Sequence, residues 1–236
     1  MADPNPLVHG DGFRALKAAG IKVRRGVLES QARELNRSFI KFVLYKKPYV
    51  TLKAAVSLDG KIATRSGRSQ WITGAKARDF SHYIRATMDG VLVGAETVRR
   101  DNPSLTSHGK GRDPVRIVVS RSGRIPGNAR IFAGKTPAWV FKGKKFSFPE
   151  FLRMLAAKGI SRLLLEGGGE TAAWALQSKE VDELMVYVAP LLIGGKEAKT
   201  FFEGRGFEGL KDALKLEKME VGNLGEDVLI RGRLKN

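Results

Sequence analysis

The residues best suited to chemistry lie in one run, Arg162-Leu163-Leu164-Leu165-Glu166-Gly167-Gly168-Gly169-Glu170-Thr171-Ala172-Ala173-Trp174-Ala175-Leu176. An apolar stretch of strand length meets three glycines and passes into an alanine-rich segment with helical spacing, the pattern of buried strand, tight turn and helix start. Such a junction suits an anion. Glycines let the backbone come close to a ligand, and the first turn of the helix presents unpaired N–H groups and the positive end of its dipole. Glu166, last on the strand, would stand beside that anion, poorly placed for phosphate but well placed to hydrogen-bond the hydroxyls or ring nitrogens of a neighbouring ligand. A glycine-rich loop with no ligand fits the same letters. The run is neither GxGxxG nor a Walker loop, so no standard nucleotide fingerprint is matched.

Other candidates stand at strand and helix ends. Arg85 closes the helical pattern Ala75 to Ala86 and is placed to reach a cleft, whereas Arg78 and His82 on the same side read as solvated. Thr97 and Asp101-Asn102-Pro103 follow the short apolar strand Asp89 to Gly94, over the carboxyl end where open α/β sheets bind ligands. Ser120-Arg121, ending the strand from Pro114, suit a ribose phosphate. The histidines His9, His82 and His108 have no metal-ligand spacing, and no metal is expected. Zero cysteines exclude disulfides, thiolate metal sites and cysteine nucleophiles in this chain.

Composition is that of a globular protein of 236 residues, 42% hydrophobic and 28% charged. No apolar run approaches the ~20 residues of a membrane helix. The start, Met1-Ala2-Asp3-Pro4, has no signal-peptide core, so a cytoplasmic location is expected. The net charge of +18 is spread along the chain: residues 1–47 carry ten Lys/Arg against four Asp/Glu. A nucleic acid, a polyanionic small molecule and a solvated basic surface all fit that charge, but no RNA- or DNA-reading motif accompanies it and aromatics are 8%.

The elements follow in order. Gly10 to Ala19 is a short helix ended by Gly20, Ile21 to Val27 a strand, and Glu29 to Tyr45 one amphipathic helix, too little for an independent core. Tyr49 to Val56 is a strand, and Thr73 is the expected N-cap of the helix from Ala75. Pro114 to Ser120 and Pro137 to Phe141 are strands, Phe148 to Lys158 a helix, and Val181 to Leu192 a further strand. Leu214 to Val221 and Asp227 to Leu234 pair around Gly222-Asn223. The order predicts an α/β sheet, parallel in the middle with an antiparallel edge.

The segments Leu52 to Lys61, Ser69-Gln70-Trp71-Ile72-Thr73, Val93 to Val98, Asp101 to Thr106 and Glu166-Gly167-Gly168 occur in the order and spacing of a known family. On them the stretch from Pro48 to the C-terminus resembles the reductase domain of RibD/RibG-type bifunctional riboflavin-biosynthesis proteins, the 5-amino-6-(5-phosphoribosylamino)uracil reductase. The resemblance implies a dihydrofolate-reductase-like α/β fold, a mixed sheet flanked by helices, over 48–236. Residues 1–47 are similar to the last third of the deaminase domain of the same proteins, without its His-Ala-Glu and Pro-Cys-x-x-Cys zinc motifs. No zinc-activated water can be built from them, and no deaminase activity is expected of this chain.

For chemistry the resemblance implies reduction of the C1′ of a phosphorylated pyrimidine ribosylamine, in its open-chain imine form, with a hydride from NADPH. Such a reaction depends chiefly on positioning. Ala55, Trp71, Thr97, Asp101, Ser120, Gly168, Gly169, Glu170, Thr171, Ala172, Ala173 and Trp174 match cofactor-contacting positions. Ser69, Arg85, Leu105 and Glu166 match substrate positions, and Lys53 joins Glu166 as a catalytic candidate beside the pyrimidine. Arg85 suits the 5′-phosphate through its two-pronged guanidinium, so Arg85→Ala is expected to raise KM for the phosphorylated substrate and spare NADPH. Where the family commonly has an arginine, this chain has His108. Lys110 and Arg112 are the alternatives for that role; if His108 holds the phosphate, KM rises between about pH 6 and 8, around the reference imidazole pKa. The folate enzyme of the same fold is disfavoured by Ser57-Leu58-Asp59-Gly60 with Asp101-Asn102-Pro103. Relatives' domains pair, so a homodimer is expected, with no membrane or nucleic-acid partner.

Overall fold

The apolar strand β1 (Tyr49–Ser57) lies inside the sheet with a parallel neighbour on each side. The computed structural model describes every residue except His9, Lys144, Lys145 and Asn236, so His9 lies outside the described residues. After α1 (Asp11–Ala18), α2 (Glu29–Leu35), α3 (Arg37–Tyr45) and β1 come α4 (Ala75–Ala86), β2 (Gly90–Gly94), α5 (Ala95–Asp101) and β3 (Val115–Ser120). Then follow β4 (Ala138–Lys142), α6 (Phe148–Ala157), β5 (Arg162–Leu165), α7 (Gly169–Gln177), β6 (Glu183–Ala189), β7 (Leu216–Leu224) and β8 (Asp227–Leu234). The sheet order is β4-β3-β2-β5-β1-β6-β8-β7. Strands β4 to β6 of that order run parallel, and β8 and β7 close the edge antiparallel. This is the predicted α/β mixed sheet, and its helices flank it.

Both faces of the parallel part are buried, because alternate side chains of a strand point to opposite sides. Leu163 and Leu165 of β5 join Val50, Leu52, Leu92 and Ile117 under α6 and α7. Leu164 turns the other way, to Val91, Val93, Val118 and the Ala95 and Val98 of α5. Trp174 of α7 is fixed edge-on against Phe148 of α6, ring centroids 4.8 Å apart. No helix among the described residues is long and apolar enough to cross a membrane.

Four local expectations are corrected. Residues 21–27 form no strand: Ile21 and Val27 are exposed and have no strand to pair with. The helix expected over 29–45 breaks at Asn36, whose side-chain N–H donates to the Ala32 carbonyl at 2.8 Å, competing with helical continuation. The β7–β8 turn is Gly225-Glu226, with Gly225 at φ 76°, as a two-residue hairpin requires. As their size led one to expect, residues 28 to 47 build no core of their own, and charge holds them to the start of β6 and the chain before it. Lys41 meets Asp182 at 2.6 Å, Arg37 meets Glu183 at 3.1 Å, and Lys47 meets Glu180.

Thr73 is not the cap of α4. The N-cap is Gly74, and the buried carboxylate of Asp227, brought up by the β7–β8 hairpin, accepts its N–H at 2.8 Å. A capping acceptor is worth about 0.5–2 kcal/mol. Asp227→Ala is therefore expected to lower unfolding free energy by about 1–2 kcal/mol, with Asp227→Asn keeping most of it, as read by urea unfolding.

Candidate active site

A cleft of about 980 Å³ opens over the carboxyl ends of β1, β2, β3 and β5. Its floor follows from how the glycines pack. Glu166 extends β5 by one residue, its N–H donating to the Leu92 carbonyl at 2.9 Å. A Cβ on Gly94 would lie 2.6 Å from Thr171 Oγ1, and one on Gly167 would lie 2.7 Å from Thr171 Cβ, so these two glycines let β2 and the chain after β5 close on α7. A Cβ on Gly168 would meet nothing within 4 Å. Gly168 is the N-cap of α7 and no side chain caps it, so the N–H groups of the first turn are left to solvent or a ligand.

Glu166 stands at the end of that floor in a buried cluster of charge. Arg85, from the end of α4, donates from Nε to Oε1 at 2.7 Å and from Nη2 to Oε2 at 2.9 Å, and from Nη1 to the Thr106 carbonyl at 3.2 Å. Lys53 Nζ, from β1, lies 3.8 Å from Glu166 Oε2 and 5.1 Å from the centre of the Tyr187 ring. Burial disfavours the Glu166 carboxylate, but the charges of Arg85 and Lys53 outweigh it and hold its pKa at about 2. Burial also lowers Lys53, only partly offset by Glu166, with Arg85 lowering it further. The cluster is thus an ionised carboxylate, a fixed guanidinium, and an ammonium that gives up its proton more readily than a free lysine.

His82 and His108 stack beside this cluster with ring centroids 4.0 Å apart. The loop carrying His108 is tightly built: Asn102, Leu105 and His108 all have positive φ, and Asp113 accepts from the N–H and Oγ of Ser107 at 2.7 and 2.8 Å. Burial first, then His108 and Arg85, push the pKa of His82 down to about 4, against the pull of Asp79 and Glu166. A group depressed in the fold binds its proton more readily when unfolded. Its contribution to stability is present above about pH 6.5 and is lost as pH falls towards 4. His82→Asn is expected to flatten that part of the profile, measured by urea unfolding at a series of pH values.

Of the residues singled out from the sequence, Lys53, Ala55, Ser69, Thr97, Asp101, Ser120, Glu166, Gly168, Gly169, Glu170, Thr171 and Trp174 line the cleft. Ser69 Oγ donates to Asp101 Oδ1 at 2.9 Å, which ties the loop after β1 to α5. Arg85 sits behind Glu166. Leu105, Ala172 and Ala173 turn their side chains into the core. Trp71 is outside the cleft lining and 69% exposed, with the Arg78 guanidinium 4.7 Å above its ring. Sequence reasoning missed Lys199 and Glu203, which reach the cleft from a loop folded against Gly169. No local pattern marks them. It also missed the pairing of Arg85 with Glu166, which two separate motifs each supply in half.

Comparison with known proteins follows the same lines. The family model described as the RibD C-terminal domain matches residues 48–230. The riboflavin biosynthesis protein RibD of Bacillus amyloliquefaciens is 38% identical over 254 residues, covering 97% of this chain and 68% of that protein. The 2,5-diamino-6-ribosylamino-4(3H)-pyrimidinone 5′-phosphate reductase of Methanothermobacter thermautotrophicus is 34% identical over 216 residues, covering 80% of this chain and 99% of that protein. The solved structure of Acinetobacter baumannii RibD superposes with a TM-score of 0.89 at 33% identity, over 100% of this chain and 71% of that one. With a strand–glycine–helix floor, a buried Glu166 and a family match across most of its length, the chain belongs to the family of the RibD C-terminal domain.

Proposed function

We propose that this chain reduces the ribosyl group of 5-amino-6-(5-phosphoribosylamino)uracil to the ribityl group with NADPH, in riboflavin biosynthesis. The observation that carries the reading is that Lys53 and Glu166 open on the same cleft as the uncapped first turn of α7. The residues suit a dinucleotide: Gly168 leaves open space where a side chain would stand, and the adjoining N–H groups favour a diphosphate. When bound, NADPH supplies the hydride.

The chain's own part is to bind, orient and move a proton. Glu166, ionised and held by both prongs of Arg85, accepts hydrogen bonds from the substrate in one fixed direction. Lys53, with a lowered pKa and its Nζ beside Glu166, donates the proton that the reduced substrate takes up. Ala55, next but one along β1, keeps the cleft wall free of bulk. Residues 1–47 are assigned to a deaminase-derived segment and 48–236 to the reductase domain, working as a homodimer.

The test is NADPH oxidation by the purified chain with the deaminated pyrimidine ribosylamino-phosphate, the ribityl product identified by mass spectrometry. Turnover that Lys53→Met abolishes in a folded protein is expected. A folded chain that binds NADPH and leaves this substrate unreduced would overturn the reading.

A further inference from the structure

Behind Lys53 lies a buried aromatic ring to which the reaction above gives no part. Tyr187 of β6 is 0% exposed, and it is not among the residues that line the cleft. It stands in register with Ala55 of β1 on one side and with Leu229 of β8 on the other, while Lys53 stands in register with Met185. Side chains two residues apart on a strand share a face. Lys53, Ala55, Met185 and Tyr187 therefore rise together towards α4, whose Ala77, Phe80 and Ile84 pack with Met185 and Tyr187. With only the Ala55 methyl group beside the ring, Lys53 and Tyr187 meet across the diagonal, Nζ lying 5.1 Å from the ring centroid.

That contact completes the surroundings of the ammonium. Its partners among the described residues are Glu166 Oε2, 3.8 Å away at the end of β5, and the face of the Tyr187 ring, while the Arg85 charge at the end of α4 opposes it. Glu166 is already held by both prongs of Arg85, so its pull on Lys53 is shared. A ring face carries partial negative charge, and it attracts a cation most where water is excluded. The Lys53 side chain is only 15% exposed.

The ring is also fixed and neutral. Phe80 tilts against it with centroids 6.4 Å apart, and burial pushes its hydroxyl up to about 12, so the phenol keeps its proton. The other charges nearby act on the neighbours of Lys53, His82 on Glu166 and Arg231 of β8 on Tyr187.

We infer that Tyr187 is a positioning residue for Lys53: its ring face aims the ammonium into the cleft beside Glu166 and keeps it charged, so that the proton is there to give. The inference rests on the proton-donor part proposed above for Lys53, and its first test is read without turnover. Lys53 is titrated by NMR of 13C-labelled lysine, its signal identified by loss in Lys53→Met, and kcat for NADPH oxidation is followed across pH. Wild type is compared with Tyr187→Phe, with Tyr187→Leu, and with pentafluorophenylalanine installed at position 187, which keeps the shape of a ring and reverses the charge of its face. Tyr187→Phe should match wild type. Tyr187→Leu and the fluorinated ring should lower the Lys53 pKa by about one unit, a roughly tenfold loss of proton affinity. The fall of kcat at high pH should move down by the same amount, with KM and NADPH binding changed by less than about twofold. The sign is decisive. Were the ring mere filling, its loss in Tyr187→Leu would admit water, relieve burial and raise the Lys53 pKa. The fluorinated ring leaves no cavity, so it reads the contact even where Tyr187→Leu does not fold. A Lys53 pKa unchanged or raised by the fluorinated ring, or lowered as far by Tyr187→Phe, would overturn the inference. The expected shifts in a chain that reduces nothing would overturn the proposed reaction and leave the contact standing.

Discussion

Arg85→Ala is expected to cut kcat/KM for the pyrimidine substrate by roughly 10³ and to lower unfolding free energy by about 3–5 kcal/mol, because it strands a buried charge. Glu166 is only 9% exposed and Arg85 supplies two of its hydrogen bonds, with Lys53 more distant at 3.8 Å. Without the guanidinium, burial of the carboxylate is opposed chiefly by the more distant Lys53, and its pKa rises. The wild-type sign is the reverse. A carboxylate depressed to about 2 contributes stability that is complete above its ordinary value of 4.5 and is lost as pH falls from 4.5 to about 2. The variant should lack that acid-side slope. The sequence alone led to a narrower expectation, a KM effect on a phosphorylated substrate. The structure adds a loss of kcat and of stability, since Arg85 is spent on Glu166. Arg85→Lys keeps the charge without the fork and should fall between. Wild-type stability in Arg85→Ala, with an effect on KM alone, would show that Glu166 does not depend on this pair.

Two adjacent glycines should separate binding from folding. Gly168→Ala places a methyl group in open cleft space at φ −70°, a conformation alanine adopts without strain. It should fold normally, with unfolding free energy within about 1 kcal/mol of wild type, yet weaken NADPH binding roughly tenfold or more, about 1.4 kcal/mol. Gly169→Ala would bring a Cβ to 2.5 Å from Glu203 Cγ and closer still to the Thr200 carbonyl, and a backbone oxygen yields little. About 1–3 kcal/mol of stability should go. Fluorescence titration with NADPH and urea unfolding on both variants distinguish them. Equal effects of the two on both readouts would contradict the packing described.

The floor of the site was legible because its signal is local. The β5 apolar run, the glycines and the helix spacing of α7 lie within fifteen letters, and hydrophobic alternation found β1 and the boundaries of α4. What failed depended on distant partners. Asp227 caps α4 from the far end of the chain, so Thr73 looked sufficient. Ile21 to Val27 has the composition of a strand, but no neighbour offers a ladder. Asn36 divides a helical pattern by a hydrogen bond that hydrophobic spacing does not register. Arg85 and Glu166 were each singled out, and only the fold, which brings the end of α4 to the end of β5, turns them into a single unit.

The position of β1 carries a consequence for how the polypeptide is made. Its two neighbours, Arg162–Leu165 and Glu183–Ala189, are encoded more than a hundred residues later, so a nascent chain emerging from the ribosome holds an apolar ribbon with nothing to zip against until most of synthesis is over. Ladders of such high contact order form slowly, and the waiting segment is open to aggregation. Chaperone dependence of the yield of native protein should therefore follow the rate of translation through residues 58 to 189.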